Sequence, residues 1–414
     1  MSSQPTSPIS TYLAKAQDLN DRNQLTEAIA LYEEAIEFYP DNAKLFCALG
    51  IVREKQGDIE EAIASYRQAI ELDPQQQTWL YLALGQLLTD REQLDEAIAT
   101  YEAGLQVYPD NLKLHQSLGT VAEQTGEIDR AIAQYQRAIE LNPKQPTWVY
   151  FTLARLFKER DQFDDAIATY QTALEVYPDN AKLYPSLAIV TEQNGDIDGA
   201  IAYHSRGIEL NPGQQTWVYL TLGRLLTEQD QLDEASANYQ AALKIHPENA
   251  KLYQSLGVLA QKKEDPDGVI ENYQRALELD PQQPPWVYFT LAEFLVQRSK
   301  FDESIAIHQT AVERYPENPE AYRLLGTSQN QAHQLEAAID SYRQAIALDP
   351  DSAIWVYLTL GQLLQEQDDI EGAIALYKAA SERHPDNADL QRELGWAQKK
   401  MEMSKPKSPP TSAA

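Results

Sequence analysis

The amino-acid sequence predicts an all-α protein in which about eleven helical hairpins stack in a row and one further helix closes the array. Three observations lead to this prediction. A tryptophan recurs at a constant interval, prolines alternate between two spacings that differ by a single residue, and each repeat carries two successive runs of apolar residues at helical spacing. One hairpin buries little apolar surface by itself, so the core is expected to form only where neighbouring hairpins stack.

Two kinds of marker residue share a 69-residue period. The tryptophans are Trp79, Trp148, Trp217, Trp286 and Trp355. One proline series follows a Tyr or a His and consists of Pro40, Pro109, Pro178, Pro247, Pro316 and Pro385, and a second consists of Pro74, Pro143, Pro212, Pro281 and Pro350. Because all three series keep the same period, we interpret the array as a pair of unlike repeats copied about five times.

Each repeat has the pattern of two helices joined by a turn. In the second repeat, Leu49 and Gly50 belong to the first apolar run, and a second run begins at Ile59. Gly57 suits the left-handed residue that ends a helix, and Asp58 can cap the next one. The repeat is therefore predicted to be a helical hairpin.

Four segments follow from this pattern. We expect a disordered N-terminus at residues 1–8, eleven repeats at 9–385, a capping helix with inward leucines at 386–400 and a disordered tail at 401–414. A polar closing helix is what the end of a stacked array requires.

Composition narrows the possible partners and compartments. The formal net charge of -29 disfavours nucleic acid, whose binding depends on neutralising phosphates with Lys and Arg. Cys47 is the single cysteine, and the chain shows neither a signal peptide nor an apolar run long enough to insert into a membrane. We therefore expect a cytoplasmic protein.

No pattern of catalytic or metal-binding residues is found. The histidines are scattered and form no ligand pair or Cys/His cluster: His115, His204, His246, His308, His333 and His384. Phosphate-binding and nucleophile motifs are also missing from the sequence. Since the repeats use almost the whole chain, we expect no enzyme activity and no cofactor.

The repeat pattern is irregular at a few positions: Tyr203-His204, Gly207, the turn Glu264-Asp265-Pro266-Asp267, and Ser304 with His308. Ordinary sequence variation in a repeat array that tolerates substitutions explains these positions more simply than a softer joint, that is, a more flexible junction between repeats.

The array resembles the tetratricopeptide repeat (TPR) family over about residues 9–385. The family pattern of an aromatic residue, Leu-Gly, Ala, Tyr, Ala and Pro is matched at Tyr81, Leu84, Gly85, Ala97, Tyr101 and Pro109, with Gly104 replacing the later Ala. The resemblance implies a right-handed superhelix, in which the first helix of each hairpin lines a concave groove and contacts a bound peptide.

Carried over to this sequence, the resemblance identifies three sets of candidate binding residues. The start of the first helix alternates between the five tryptophans and Lys44, Lys113, Lys182 and Lys251, with Glu320 as the exception. Three residues after each Trp lie Leu82, Phe151, Leu220, Phe289 and Leu358. Hydroxyl-bearing residues precede the Leu-Gly position at Ser117, Thr152, Ser186, Thr221, Ser255, Thr290 and Thr359.

Alternative interpretations stay open for the tryptophans and the hydroxyls. The tryptophans are either groove anchors, the residue type that dominates binding hot spots, or covers for the one-residue-longer loop, with Lys stacked on the indole. A helix hydroxyl can hold a peptide main chain, but it more often bonds to its own upstream carbonyl.

We expect a non-enzymatic scaffold that binds a peptide or protein segment in its groove. The alternatives are a self-associating structural protein and a non-catalytic targeting subunit of an enzyme complex. The Lys at the helix start matches the carboxylate clamp of chaperone-binding TPR domains, but the accompanying Lys and Asn are missing. An acidic chaperone tail is therefore not predicted, and we expect a monomer or weak self-association.

Overall fold

The computed structural model of the protein describes residues 8–404, which form helices and no strands. They fall into two compact units, the first ending at Pro212 and the second beginning at Gly213. The helices of unit 1 are α1 (Ile9–Asp21), α2 (Leu25–Phe38), α3 (Ala43–Gln56), α4 (Ile59–Leu72), α5 (Thr78–Asp90), α6 (Leu94–Val107), α7 (Leu112–Gln124), α8 (Ile128–Leu141), α9 (Thr147–Glu159), α10 (Phe163–Val176), α11 (Leu183–Gln193) and α12 (Ile197–Leu210). Those of unit 2 are α13 (Thr216–Glu228), α14 (Leu232–Ile245), α15 (Ala250–Lys262), α16 (Pro266–Leu279), α17 (Pro285–Gln297), α18 (Phe301–Arg314), α19 (Pro319–Gln331), α20 (Leu335–Leu348), α21 (Ile354–Glu366), α22 (Ile370–Arg383) and α23 (Ala388–Ser404).

Each odd-numbered helix from α1 to α21 pairs with the helix that follows it, which makes eleven hairpins in the described part of the chain. We call the odd-numbered helix the first helix of its hairpin and the even-numbered helix the second. Within each unit, consecutive hairpins pack on one another through the second helix of one and the first helix of the next. The all-α array of hairpins predicted from the sequence is confirmed.

The turn inside every hairpin contains one residue in the left-handed backbone region. Three of these residues are glycines, and the prediction for Gly57, whose φ is 95°, is confirmed. The other eight have φ between 54° and 64° and are Asn23, Glu92, Asp161, Asp230, Glu264, Ser299, His333 and Asp368. The turn therefore imposes its backbone geometry on side chains that rarely adopt it.

Two loop types alternate between hairpins. In the shorter loop an Asn caps the next first helix: Asn42 Oδ1 accepts hydrogen bonds from the amides of Lys44 and Leu45, at 3.1 and 3.2 Å. Five more Asn occupy this position with the same period as the tryptophans: Asn111, Asn180, Asn249, Asn318 and Asn387. Such a side chain satisfies amides that have no partner within the helix.

The longer loop precedes each Trp-bearing first helix and is held by tyrosine hydroxyls. Tyr81 donates to the carbonyl oxygen of Pro74 at 2.6 Å, and Tyr108 donates to that of Gln76 at 2.8 Å. The corresponding pairs are Tyr150 to Pro143, Tyr177 to Gln145, Tyr288 to Pro281, Tyr315 to Gln283 and Tyr357 to Pro350. The extra residue is thus accommodated with its carbonyls satisfied.

A tyrosine packed over a small residue holds the two helices of a hairpin together. A Cβ added to Gly50 would lie 2.5 Å from the ring of Tyr66, so nothing larger than glycine fits there without movement. Alanine in place of glycine occurs opposite either kind of ring, as Ala154 with Tyr170 and Ala292 with His308.

The other irregular positions also have specific partners. A Cβ on Gly207 would approach the Pro185 ring to 3.0 Å, so glycine at this position leaves room for that proline in α11. In the turn before α16, the Asp265 carboxylate accepts a hydrogen bond from the Gly268 amide at 3.0 Å. These contacts favour drift with local compensation over a softer joint.

The closing helix α23 extends further than the sequence pattern indicates. It runs to Ser404, four residues past the predicted end at residue 400, into the segment predicted to be a disordered tail. Leu390 is fully buried in the core of the last hairpins, and Met401, which lies beyond the predicted end of the helix, packs against the same hydrophobic cluster. The remaining predictions of disorder, for residues 1–7 and 405–414, lie outside the described residues.

Candidate functional site

The first helices of consecutive hairpins leave grooves between them, which we name by their helices. Three are well formed: the α3–α5 groove of about 610 Å³, the α5–α7 groove of about 700 Å³ and the α13–α15 groove of about 490 Å³. A tyrosine of the intervening second helix lies at the floor of each groove, Tyr66, Tyr101 and Tyr239 respectively. We call the exposed side chains of the first helices that border these grooves the first-helix face.

The five tryptophans at the helix starts are partly exposed, between 38% and 44%. The indole of Trp148 meets the ring of Tyr135 edge to face, with centroids 6.0 Å apart, and Trp79 meets Tyr66 in the same way at 6.2 Å. The same contact occurs between Tyr273 and Trp286 and between Tyr342 and Trp355. Each indole in these pairs thus contacts the core through one edge and keeps about two fifths of its surface exposed.

This geometry bears on the two interpretations of the tryptophans. The longer loop is held by tyrosine hydroxyls, such as those of Tyr81 and Tyr108, and Trp79 packs on the second helix of the preceding hairpin. The indole of Trp79 also lines the α3–α5 groove beside Ile51 and Lys55. The same indole donates a hydrogen bond to the side chain of Gln77 in the longer loop at 3.1 Å, so it contacts both the loop and the groove.

The lysines at the helix starts, Lys44, Lys113, Lys182 and Lys251, are all exposed. The cation that stacks on Trp355 is Arg323, at 5.0 Å from the ring centroid, and Glu320 pairs with that arginine. Glu320 occupies the lysine position, so in this hairpin the cationic group lies one helical turn further along. Lysine stacking on the indole was the expectation, and at Trp355 an arginine takes that place.

Phe151 and Phe289 are half-buried. Phe151 packs against Tyr170 with ring centroids 5.7 Å apart, and Phe289 lies 6.3 Å from His308. Both therefore contact the second helix of their own hairpin with part of their surface.

The hydroxyl-bearing residues Thr152, Thr221 and Thr290 are also half-buried, and Thr221 lines the α13–α15 groove. At the same position Ser186 donates to the carbonyl oxygen of Lys182 at 3.2 Å, which is the local bond that competes with ligand binding. Ser255 instead faces the hydroxyl of Tyr239.

The groove floors are closely similar in the two units. Burial raises the pKa of Tyr239. Its hydroxyl lies between those of Ser255 and Thr227, and the hydrogen bonds to them lower the pKa by a smaller amount. In unit 1, burial likewise raises the pKa of Tyr101, whose hydroxyl lies between Thr89 and Ser117. These hydroxyls provide donors and acceptors but no group that titrates near neutral pH.

Sequence reasoning missed three residues of the α13–α15 groove: Arg224, Val258 and Lys262. Lys262 donates to the carbonyl oxygen of Thr227 at 2.8 Å, and Arg224 pairs with Glu228 at 2.9 Å. A comparison of the repeats with one another would have revealed these residues. The equivalent positions two periods earlier in the chain are occupied by Gln86, Thr120 and Gln124, none of which is charged.

The histidines have structural surroundings. His115 contacts the Gln134 side chain at 2.7 Å and the Pro109 carbonyl oxygen at 2.8 Å. Burial lowers the pKa of His308 to about 4. Within residues 8–404, no group of three or more potential metal ligands comes together, and no helix is long and apolar enough to cross a membrane.

Known structures with a similar fold include the Naa15/Naa10 complex bound to HypK-THB, which is 14% identical with a TM-score of 0.49 over 89% of this chain and 68% of that one. YrrB, described as a TPR protein with an unusual peptide-binding site, is 23% identical with a TM-score of 0.39 over 48% and 97% of the two chains. MamA is 24% identical with a TM-score of 0.36 over 41% and 92%. No curated protein sequence matches the chain, and its family assignment does not depend on these likenesses.

Family profiles match most of the chain. One profile described as tetratricopeptide repeat matches residues 53–121, 122–188 and 330–398, and two more with that description match residues 289–353 and 250–283. A profile described as TPR repeat matches residues 16–57 and 223–263. The matched segments coincide with the stacked hairpins, and the chain belongs to the tetratricopeptide repeat family.

Proposed function

We propose that this protein is a non-enzymatic scaffold that binds a segment of another protein along its first-helix face. The observation that carries the proposal is the recurrence of one partly exposed Trp at the same position of five hairpins. Exposed aromatic residues collected on one face are typical of interaction sites, and Trp is among the residues that contribute most to binding energy.

The grooves offer polar partners as well as apolar contact. The α13–α15 groove combines apolar Leu220 and Val258 with the hydroxyls of Thr221, Ser255 and Tyr239. A peptide needs both kinds of contact, because its main-chain amides and carbonyls lose water on binding and must find new hydrogen bonds.

The proposal is tested with short peptides selected on the intact protein from a display library. Replacing Trp148 and Trp286 together by Ala, one in each unit, is expected to weaken peptide binding by about 2 kcal/mol or more. The free energy of unfolding should fall as well, because each indole is only about 40% exposed and its buried area adds to an edge-to-face contact of about 1 kcal/mol, so affinity is measured where both proteins are folded.

The matched control is Trp396→Ala. Trp396 is 59% exposed but lies on α23, outside the recurring position, so its replacement should leave peptide affinity unchanged. Wild-type affinity in the double variant, or a loss of affinity fully explained by unfolding in urea, would remove the tryptophans from the binding site.

Self-association is a second candidate, favoured by the exposure of Trp396 and Met403 on the closing helix, at 59% and 78%. Light scattering behind a sizing column, over a range of concentrations, distinguishes the two functions. A mass that stays monomeric at all concentrations excludes self-association, whereas a dimer abolished by Trp396→Ala would support it.

A further inference from the structure

Building on the proposed function, we propose that the α13–α15 groove of unit 2 binds an acidic side chain from within the partner segment. This groove would then recognise a carboxylate of the partner, and the partly exposed tryptophans would supply apolar contact elsewhere on the first-helix face.

The charges around this groove differ from those of the molecule as a whole. The chain has a formal net charge of -29, yet Arg224, Lys251 and Lys262 surround the groove and Glu228 is its single carboxylate. Arg224 is already paired with Glu228 at 2.9 Å. The excess cationic charge therefore comes from the two lysines.

The two lysines are held differently. Lys262 is fixed by its hydrogen bond to the carbonyl oxygen of Thr227, which uses one of its three ammonium hydrogens and leaves the positive charge uncompensated. Lys251, at the groove rim, has no ion pair among the described residues and can turn toward an incoming anion.

The rest of the lining suits a carboxylate on an apolar stem. Leu220 and Val258 offer apolar contact to the methylene groups of a Glu or Asp side chain, and Thr221 and Ser255 place hydroxyls beside them. A carboxylate that leaves water needs charged or polar donors to replace its lost hydration, and the two lysines and the hydroxyls are such donors.

The α5–α7 groove of unit 1 provides an internal comparison, because it has the same floor and different charges. Tyr101, Thr89 and Ser117 correspond to Tyr239, Thr227 and Ser255, which follow them two periods later in the chain. Its lining includes Asp90 and Glu92 and no cationic side chain. Lys113 occupies in unit 1 the position of Lys251, so the cationic side chains that distinguish the α13–α15 groove are Arg224 and Lys262.

The test exchanges the distinguishing residues between the two grooves. The variant Arg224→Gln/Val258→Thr/Lys262→Gln gives the α13–α15 groove the residues of Gln86, Thr120 and Gln124, which the same fold already accommodates. The reciprocal variant is Gln86→Arg/Thr120→Val/Gln124→Lys. Both full-length variants are first compared with the wild type by circular dichroism and urea unfolding.

The probes are arrays of short peptides with acetylated N-termini and amidated C-termini, so that every carboxylate belongs to a side chain. We expect peptides selected by the wild type to share an acidic residue, whose change to Gln weakens binding about tenfold or more. The first variant should lose this preference while still binding peptides, and the reciprocal variant should gain a second acidic preference.

The outcomes separate the two proposals. An unchanged acidic preference in the first variant would overturn the carboxylate site and leave the scaffold function standing, whereas failure of the wild type to select any peptide would overturn both. Displacement of a bound peptide by millimolar free glutamate or inorganic phosphate would assign the groove to free anions and would also overturn the proposal.

Discussion

At the residue scale, the left-handed position in each hairpin turn is occupied by very different side chains. Glycine adopts this conformation without cost, Asn and Asp tolerate it, and longer or branched side chains are strained by roughly 1–2 kcal/mol. Glu92 and Glu264 fall in the unfavourable group. These turns are therefore less stable than the same turns would be with glycine at the left-handed position.

Glu92→Gly is expected to stabilise unit 1 by up to about 1 kcal/mol, since relief of strain exceeds the extra entropy that glycine loses on folding. Urea unfolding followed by circular dichroism measures the change. Asp161→Gly is the matched control and should gain less, because Asp adopts positive φ more readily. Equal gains in the two variants would show that backbone strain is not the cause.

His308 is a second residue whose local surroundings have a measurable effect. It is 3% exposed, its Nδ1 lies 3.0 Å from the Ser328 hydroxyl, and its buried Nε2 has no hydrogen-bond partner among residues 8–404. Protonating the ring would place a charge in an apolar site, which is why the folded state resists it.

We therefore expect unit 2 to lose stability as the pH falls. Burial lowers the pKa of His308 from 6.5 to about 4, so its stabilising effect is complete above pH 6.5 and disappears as the pH approaches 4. The full loss is about 3 kcal/mol. Urea midpoints of the wild type and His308→Phe, measured from pH 7 to pH 5, should converge, and parallel curves would contradict the assignment.

Some of these residues were predictable from the sequence and others were not. The positive φ of Gly57 was predictable because glycine is the usual residue at the end of a helix. Glu92 adopts the same backbone region only because the helices on either side of the turn require it. His308 was not predictable, because Ala154 and Ala292 occupy the same position of the first helix and stand opposite Tyr170 and His308 respectively.

At the scale of elements, the two loop types show that the 34- and 35-residue repeats differ in chemistry as well as in length. The shorter loop relies on an Asn cap such as Asn42, and the longer loop relies on hydroxyls such as those of Tyr81 and Tyr108. The helices and their turns follow from apolar spacing, but the tyrosine hydrogen bonds that clamp the longer loop do not, because Tyr81 bonds to a loop residue 7 positions away and Tyr108 to one 32 positions away.

Tyr177→Phe tests the clamp. Its hydroxyl donates to the carbonyl oxygen of Gln145 at 2.7 Å, and removing it should cost about 1–3 kcal/mol because that carbonyl is left without its partner. Tyr184→Phe is the control, since its bond to the Pro178 carbonyl oxygen at 2.8 Å is exposed and water can replace it. Equal urea midpoints for the two variants would rule out a clamping role.

At the scale of the molecule, each compact unit has hydrophobic clusters of its own, which suggests that the units fold independently. The clusters of unit 1 run from the α1–α2 hairpin to α12, and those of unit 2 include the last hairpin and α23. The repeat period predicted this construction, and the irregular positions Tyr203-His204 and Gly207 lie shortly before the unit boundary at Pro212.

A fragment comprising residues 1–212 is expected to be helical and to unfold cooperatively, because each of its hairpins keeps its neighbours within the unit. A shorter fragment that ends at residue 195 lacks α12 and would leave Leu187 and Ala188 of α11 uncovered, so it should unfold at lower urea and aggregate more readily. Circular dichroism and sizing chromatography give both readouts. A longer fragment no more stable than the shorter one would be incompatible with the proposed boundary.

The tryptophans and lysines were candidates from the sequence, because the family resemblance points to the start of each first helix. The cationic groove was missed because Arg224 and Lys262 look like ordinary helix-surface residues, and their effect depends on two helices from different hairpins.

The position of the tryptophans also makes their intrinsic fluorescence a probe of ligand binding. Each of the five indoles has about two fifths of its surface in water, so its fluorescence should shift to shorter wavelengths when a ligand covers the groove beside it. Unfolding moves the emission in the opposite direction, toward that of fully hydrated indole. Occupancy and denaturation can therefore be followed in one cuvette without an attached dye, and replacing the tryptophans of one unit by Phe would assign the signal to the other.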